Sequence, residues 1–187
     1  MSRFPEISPN DYTDEQNELA QKVAGSRGAM RGPFVPALHS PGVLRAIEAT
    51  GAYVRFHNAL PDDLKELATL VVGRFWGAQY EWYAHARLAL QSGVEPAIVA
   101  AIRKGEAPQK LSPAQAAIYN FCVELNGTHG VRDETFRAVA SRFGTRGVMD
   151  LIGICGHYSM ISMILNVAQV PTPDGSVPLA PLKQHAK

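Results

Sequence analysis

The segment GAQYEWYAHARLAL, residues 77–90, places a carboxylate four residues before an imidazole. On an α-helix this spacing puts Glu81 and His85 on one face, where the carboxylate can orient the ring and stabilise its cation. An imidazole with an ordinary pKa of ~6.5 can take a proton from carbon or oxygen at neutral pH. The alternative is a buried histidine that is merely satisfied by a hydrogen bond to Glu81, and the spacing alone does not decide between the two.

Glu66 is a second acid, 19 residues before His85 in the sequence. In one straight helix the two would lie roughly 28 Å apart and would not cooperate. Gly77 stands between them, however, and a break there would let two helices fold back so that Glu66 and His85 converge. Two carboxylates and an imidazole among apolar residues perturb one another's pKa values, as a proton relay requires. We therefore predict Glu66, Glu81 and His85 as catalytic residues.

Other kinds of site have less support in the sequence. His57, His129 and His157 form no recognisable metal-ligand pattern with Glu81 and His85, so we predict no metal. The glycine-containing segment GSRGAMRG follows a predicted helix rather than a strand, unlike the common phosphate-binding loops. We accordingly predict no cofactor.

Composition favours one domain with small-molecule or protein partners. The chain has 187 residues and a formal net charge of +1, which argues against a nucleic-acid surface and against an electrostatic membrane anchor. We predict a single domain over 1–187, with an N-terminal arm 1–12 and a C-terminal tail 171–187. Cys122 and Cys155 lie among apolar residues, which favours reduced, buried thiols, and the N-terminus has no secretory-signal pattern. We expect a cytoplasmic protein.

Helix start and stop signals recur along the chain, whereas no segment alternates like a strand. The apolar segment 147–170 contains Asp150, His157 and Asn166, which favours a buried core helix over a membrane span. The fold class is therefore all-α, a packed bundle. The first predicted helix begins after a Thr13 cap, and the second begins at Ser40, whose side chain we predict as a cap, and ends near Asn58. The others run from Asp62 to Trp76, through the opening segment to Gly93, from Pro96 to Gly105, from Ser112, from Asp133 to Gly144, and through the apolar segment.

Together, Glu66, the run LATLVVGRFWGAQYEWYAH and the helix start SGVEPAIVAAI resemble the carboxymuconolactone decarboxylase family of the alkylhydroperoxidase D-like superfamily. The segments GHYSMISMILNVAQVPTP and RGPFVPALHSPGVL are similar to that family's closing helix and to the N-terminal extension of its longer members. The resemblance covers about residues 31–173. It implies an alkylhydroperoxidase D-like multi-helix bundle assembled into a homo-oligomer, commonly a trimer or hexamer.

The peroxidase branch of the superfamily has a relay glutamate, a C-x-x-C pair and then a histidine. Glu66 and His85 match the spacing of the relay glutamate and the histidine, but Ala78 and Glu81 occupy the cysteine positions. Without a thiolate there is no peroxidatic nucleophile and no resolving partner. The chain resembles instead the decarboxylase branch, which implies cofactor-free loss of carbon dioxide from an unsaturated lactone acid and reprotonation at carbon.

In this interpretation His85 moves the proton and Glu81 or Glu66 orients and recharges it. Arg74 is the predicted partner of the substrate carboxylate, with Arg31 and Arg55 as further candidates. The other predicted substrate-binding residues are Trp82 and Tyr83, which would exclude water, and His157 and Tyr158, which would line the pocket.

Two alternatives stay open. One is a peroxidase-like oxidoreductase that uses Cys122 or Cys155, and the other is a non-catalytic oligomeric binding protein that keeps the fold. The sequence also leaves open which glutamate pairs with His85.

Overall fold

The computed structural model describes residues 2–181. Residue 1 of the predicted arm and residues 182–187 of the predicted tail lie outside the described residues. Within residues 2–181 the chain forms helices and no strand, which confirms the all-α prediction. After a short 3₁₀ helix at Pro9–Asp11 come α1 (Asp14–Arg27), α2 (Phe34–Ala37), α3 (Pro41–Phe56), α4 (Asp62–Phe75), α5 (Gln79–Gln91), α6 (Pro96–Lys104), α7 (Pro113–Thr128) and α8 (Asp133–Ala168).

Local capping explains several helix starts. The Thr13 hydroxyl accepts from the Gln16 amide while the Gln16 side chain accepts from the Thr13 amide, and the same reciprocal pair begins α7 at Ser112. The prediction of a side-chain cap at Ser40 was wrong. Ser40 makes no capping hydrogen bond, and Pro41, whose ring fixes φ, occupies the first turn of α3.

Gly144 interrupts α8. Its φ of 66° and ψ of 179° are not helical, and a positive φ is inexpensive only for glycine. The predicted helix end at Gly144 therefore corresponds to a kink between two helical segments that continue one another. α2 was not predicted, because the segment around it reads only as a helix break.

Two hydrophobic clusters hold the bundle together. The first surrounds α4 and contains Leu67, Phe121 and Ile154, and the second joins α1, α2 and α3 to the end of α8 through residues such as Ile47 and Leu165. Each fully buried side chain of this size contributes about 2 kcal/mol to folding. Because α8 contributes to both clusters, its middle residues lie where the clusters meet.

α8 is the one helix within residues 2–181 that is long and apolar enough to cross a membrane by length and composition alone. More than half of its most apolar window is buried inside the protein. Asp150 on this helix is also buried, and it accepts hydrogen bonds from the Tyr53 hydroxyl at 2.7 Å and the Ala59 amide at 2.9 Å. The buried Asp150 carboxylate on α8 is thus satisfied within the fold, as a core helix requires.

The C-terminal segment packs back on the bundle although it is not helical. Leu179 is buried, and both its amide and its carbonyl bond to the side chain of Gln79, the first residue of α5. The Ala180 carbonyl accepts from Arg74 on α4. We call residues 178–180 the closing segment, because they tie α4 to the start of α5.

Candidate active site

A tight turn at Gly77 reverses the chain between α4 and α5. The Ala78 amide donates to the Gly73 carbonyl and the Gly77 amide to the Arg74 carbonyl, the pair of bonds that defines a Schellman helix end. Gly77 has φ of +59°, which glycine adopts without a steric cost. The predicted break at Gly77 is confirmed, and it lets α5 fold back beside α4.

This reversal brings Glu66 to His85. The His85 Nδ1–H donates to Glu66 Oε2 at 2.7 Å, and the Nε2–H donates to Glu81 Oε1 at 3.1 Å. The sequence left open which glutamate pairs with the ring, and the structure shows that both do, one on each nitrogen. The side chains of His85 and Glu81 are almost fully buried, whereas that of Glu66 is 16% exposed.

The two carboxylates change the charge state of the ring. Burial alone would lower the pKa of His85, but the charges of Glu81 and Glu66 and their hydrogen bonds outweigh it and raise the pKa to about 9. His85 is therefore an imidazolium at pH 7. The expectation of a histidine with an ordinary pKa that accepts a proton needs correction, since the raised pKa leaves the ring charged, with a hydrogen on both nitrogens.

The positions of Glu66 and Glu81 around His85 do not suit the binding of one metal ion. Glu66 and Glu81 face opposite nitrogens of one ring, so their oxygens do not converge on a common point. Across residues 2–181, no group of three or more histidine, cysteine, aspartate and glutamate side chains is arranged to hold a metal ion.

A pocket of about 550 Å³ opens beside the buried pair. Glu81 and His85 line it, and the predicted Tyr83, His157 and Tyr158 line it as well. Of the arginines considered from the sequence, Arg31 and Arg55 lie at this pocket. The fold therefore brings five of the eight predicted site residues to one pocket, and Glu66 lies directly behind them.

Arg74 and Trp82 are not brought to this pocket. Arg74 lies eight residues beyond Glu66 on α4, about 12 Å farther along the helix, where its Nη1–H donates to the Ala180 carbonyl. Trp82 follows Glu81 directly, so it faces a different side of α5 and is buried in the cluster around α4. The structure thus gives both residues packing contacts away from the pocket.

Sequence reasoning missed Arg27, Tyr80 and Arg87 among the pocket residues. Tyr80 and Arg87 lie within the opening segment, on either side of Glu81 and His85, and could have been included from helical spacing alone. Arg27 ends α1 just before a glycine, and nothing in its local sequence marks it. Its place depends on how α1 packs against α3 and α8.

A second cavity, of about 340 Å³, lies on the other side of the histidine. Glu66, Lys65 and Thr69 line it, and Arg55 and Tyr158 line both cavities. Glu81 therefore faces the larger pocket while Glu66 faces the smaller one. The hydrogen-bonded chain Glu66–His85–Glu81 connects the two spaces.

Aromatic contacts fix the rings at the base of the pocket. Tyr158 meets both His85 and His157 edge-to-face, with ring centroids 5.0 Å apart in each pair. Burial, opposed by the charge of Glu81 and reinforced by that of Arg27, lowers the pKa of His157 to about 4, while burial raises the pKa of the Tyr158 phenol. His157 and Tyr158 are thus neutral at pH 7, unlike His85.

The cysteines lie away from this site. Cys122 and Cys155 are free and buried, with their Sγ atoms 3.6 Å apart in the cluster around α4. The hydrogen bond with Cys155 and burial raise the pKa of the Cys122 thiol. A buried, protonated thiol is a poor nucleophile.

Comparison with known proteins gives a family and a fold. Residues 41–123 match the model of the carboxymuconolactone decarboxylase family. No curated protein sequence matches the chain. Among solved structures, an alkylhydroperoxidase AhpD core from Ralstonia eutropha JMP134, described as an uncharacterized peroxidase-related protein, has a TM-score of 0.77 and 18% identity over 97% of this chain and 98% of that one.

Two further structures have the same fold. The debrominase Bmp8 has a TM-score of 0.71 and 12% identity over 92% of each chain. A peroxidase-related protein from Silicibacter sp. TM1040 has a TM-score of 0.72 and 14% identity over 90% of this chain and 88% of that one. At these identities the likeness concerns the fold, and two of the three structures are named as peroxidase-related proteins and the third as a debrominase. Residues 41–123 are thus similar to the carboxymuconolactone decarboxylase family, and the chain has the fold of the alkylhydroperoxidase AhpD core.

Proposed function

We propose that the protein is a cofactor-independent acid/base enzyme that acts on a small cyclic carboxylated compound, as a decarboxylase-like lyase. The observation that carries this proposal is the His85 imidazolium, held between Glu66 and Glu81 at the wall of a ligand-sized pocket. Loss of carbon dioxide leaves an electron pair on carbon, and the reaction is completed by a proton. A buried, charged histidine supplies that proton.

The steps follow the hydrogen bonds. The bond between the substrate carbon and its carboxylate breaks, carbon dioxide leaves, and the electron pair stays on the substrate as an enolate-like anion. Glu81, which lines the pocket, receives the Nε2 proton of His85 and passes it to that carbon. Glu66 accepts the Nδ1–H and stabilises the imidazolium. After the product leaves, water in the larger pocket returns a proton to Nε2 by way of Glu81.

The test is turnover of carboxymuconolactone and related lactone acids by metal-free protein, followed as carbon dioxide release. We expect His85→Gln and Glu81→Gln to lose at least about 100-fold in kcat, the usual contribution of a positioned acid or base. His57→Gln is the matched control, because His57 is exposed at the end of α3 and lies outside both cavities. Equal rates for the wild type and His85→Gln would remove His85 from the mechanism.

Neither the thiol-peroxidase alternative nor the binding-protein alternative is supported by the contacts of the site. A peroxidase needs an accessible thiolate, and the two thiols lie in the apolar cluster with a raised pKa at Cys122. A non-catalytic binding protein has no need of a buried imidazolium between the buried Glu81 and the partly exposed Glu66, an arrangement that costs desolvation energy. Turnover by the wild type that is lost in His85→Gln would exclude the binding-protein alternative.

We further propose that the protein is a homo-oligomer, as the family resemblance implies. Its support is an exposed apolar stripe on α8, spaced by three, eight, three and four residues so that it follows one helix face. The stripe consists of Met149, Ile152, Met160, Met163 and Val167. Sedimentation equilibrium of the wild type and of Met163→Lys tests it, and a wild type that is monomeric at all concentrations would refute it.

A further inference from the structure

The Arg27 guanidinium stacks over the Phe34 ring, 4.7 Å from its centroid, but one edge of it is buried without a hydrogen-bond partner. Its Nε and Nη2 atoms are shielded from solvent, and within residues 2–181 neither makes a hydrogen bond. The Nδ1 atom of His157 is in the same state, in a side chain that is more than nine-tenths buried. Leaving buried polar groups unpaired is costly, so such groups mark a place where a ligand or a water completes the structure.

Gly51 brings these two side chains together. A Cβ at position 51 would lie 2.6 Å from Arg27 Nη2 and 3.1 Å from His157 Nε2, so the guanidinium would have to move and the imidazole to shift by a few tenths of an ångström. Gly51 is buried in α3, where alanine would otherwise be the better helix former. The absence of a side chain here lets Arg27 and His157 converge at the wall of the larger pocket.

The pocket wall carries an excess of positive charge. Arg27, Arg31 and Arg55 line it, and within residues 2–181 none of them forms a salt bridge with a carboxylate. Glu81 is the carboxylate of the pocket wall, and it is already bonded to His85. Guanidinium groups that face a pocket without a counter-charge favour an anionic ligand.

We infer that Arg27, Arg55 and His157 form a subsite for an anionic group of the ligand, most simply a carboxylate. The Nε and Nη2 hydrogens of Arg27 point along one edge and match the two oxygens of a carboxylate. The neutral His157 adds one N–H donor without adding charge. Arg55, at the boundary of the two cavities, adds the second cation.

The anionic group bound at this subsite stays on the substrate throughout the reaction. An ion pair with arginine stabilises a carboxylate in the ground state, which opposes its loss as carbon dioxide. The carboxylate on Arg27 is therefore a spectator anion, and the carbon that is protonated lies toward Glu81. The second part of this assignment rests on the proposed lyase function, whereas the anion subsite itself does not.

Calorimetric titration with benzoate and its neutral analogue benzamide tests the subsite without requiring turnover. We expect the wild type to bind benzoate and to bind benzamide at least about 10-fold more weakly. Arg27→Met removes the charge and should weaken benzoate binding by about 10- to 100-fold. Arg27→Lys should recover only part of the affinity, because lysine lacks the two parallel N–H donors of the guanidinium. Arg137→Met, which removes an exposed arginine outside the pocket, is the matched control.

Gly51→Ala provides an independent variant. It retains every charge but displaces the Arg27 guanidinium from its position beside His157, so benzoate binding should fall although helix propensity improves. Equal affinity for benzoate and benzamide in the wild type, or full affinity in Arg27→Met, would overturn the subsite, and the wild-type comparison remains decisive if a variant fails to fold. Selective benzoate binding without lactone turnover would instead remove the proposed function and leave the subsite standing.

Discussion

The charge on His85 is the feature of the site that is most open to measurement. The charges of Glu81 and Glu66 outweigh the effect of burial and raise the pKa of His85 from 6.5 to about 9. At ~1.4 kcal/mol per pKa unit, this shift corresponds to about 3 kcal/mol of folding free energy. Because the folded-state pKa is the higher one, this stabilisation is fully present below pH 6.5 and is lost as the pH rises through about 9.

The perturbation is Glu81→Gln, which removes one of the two charges but retains the shape and a hydrogen-bonding group. Because burial lowers the pKa of His85 and one fewer carboxylate then raises it, this pKa should fall by at least one unit. Nitrogen-15 NMR titration of the histidine rings measures this directly. Urea unfolding between pH 6 and 10 then measures the free energy of unfolding, which should decline across this range in the wild type and less steeply in Glu81→Gln.

His85→Gln serves as the control for the unfolding series, because any pH dependence that remains in it comes from other groups. Under the proposed function, the wild-type rate should also decline above about pH 9 as His85 loses its proton. A wild-type His85 that titrates at or below 6.5, or an unfolding free energy that is flat from pH 6 to 10, would refute the coupling between the imidazolium and its carboxylates.

Further expectations concern the turn, the core, the second histidine and the thiols. Gly77→Ala should lower the free energy of unfolding by about 1–2 kcal/mol, measured in urea, because alanine is strained at φ of +59°. Leu67→Ala, in the fully buried centre of α4, should cost about 2–5 kcal/mol in the same assay, and a cost below 1 kcal/mol would contradict the packing described. His157→Gln should flatten the acid side of the stability profile, since the lowered pKa of His157 gives stabilisation that is present above pH 6.5 and lost as the pH falls through about 4. Joint replacement of Cys122 and Cys155 by serine should leave any peroxide consumption unchanged, whereas its loss would revive a thiol mechanism.

Local signals in the sequence were sufficient to predict most of the helices and the approach of Glu66 to His85. The capping residues Thr13 and Ser112 act through hydrogen bonds three residues away, and the reversal at Gly77 depends on one backbone angle. Once that reversal is predicted, the approach of Glu66 to His85 follows from helical spacing.

The remainder of the site depends on packing between distant helices. Arg27 enters the pocket from α1, and its position is set by Gly51 on α3 and His157 on α8, which no local pattern reveals. Arg74 carries the right charge, but its place two turns along α4 directs it to the Ala180 carbonyl. The pKa of His85 was also misjudged, because it depends on the simultaneous presence of both carboxylates around a buried ring.

The closing segment has a consequence for the order in which the protein folds. Leu179 bonds to Gln79 across a separation of 100 residues, so this contact closes a long loop of chain and carries a large entropic cost until the bundle exists. The α4–α5 hairpin, in contrast, needs only the local turn at Gly77. Glu66 and His85 can thus meet early in folding, while the start of α5 is fastened only after residues 178–180 have been made.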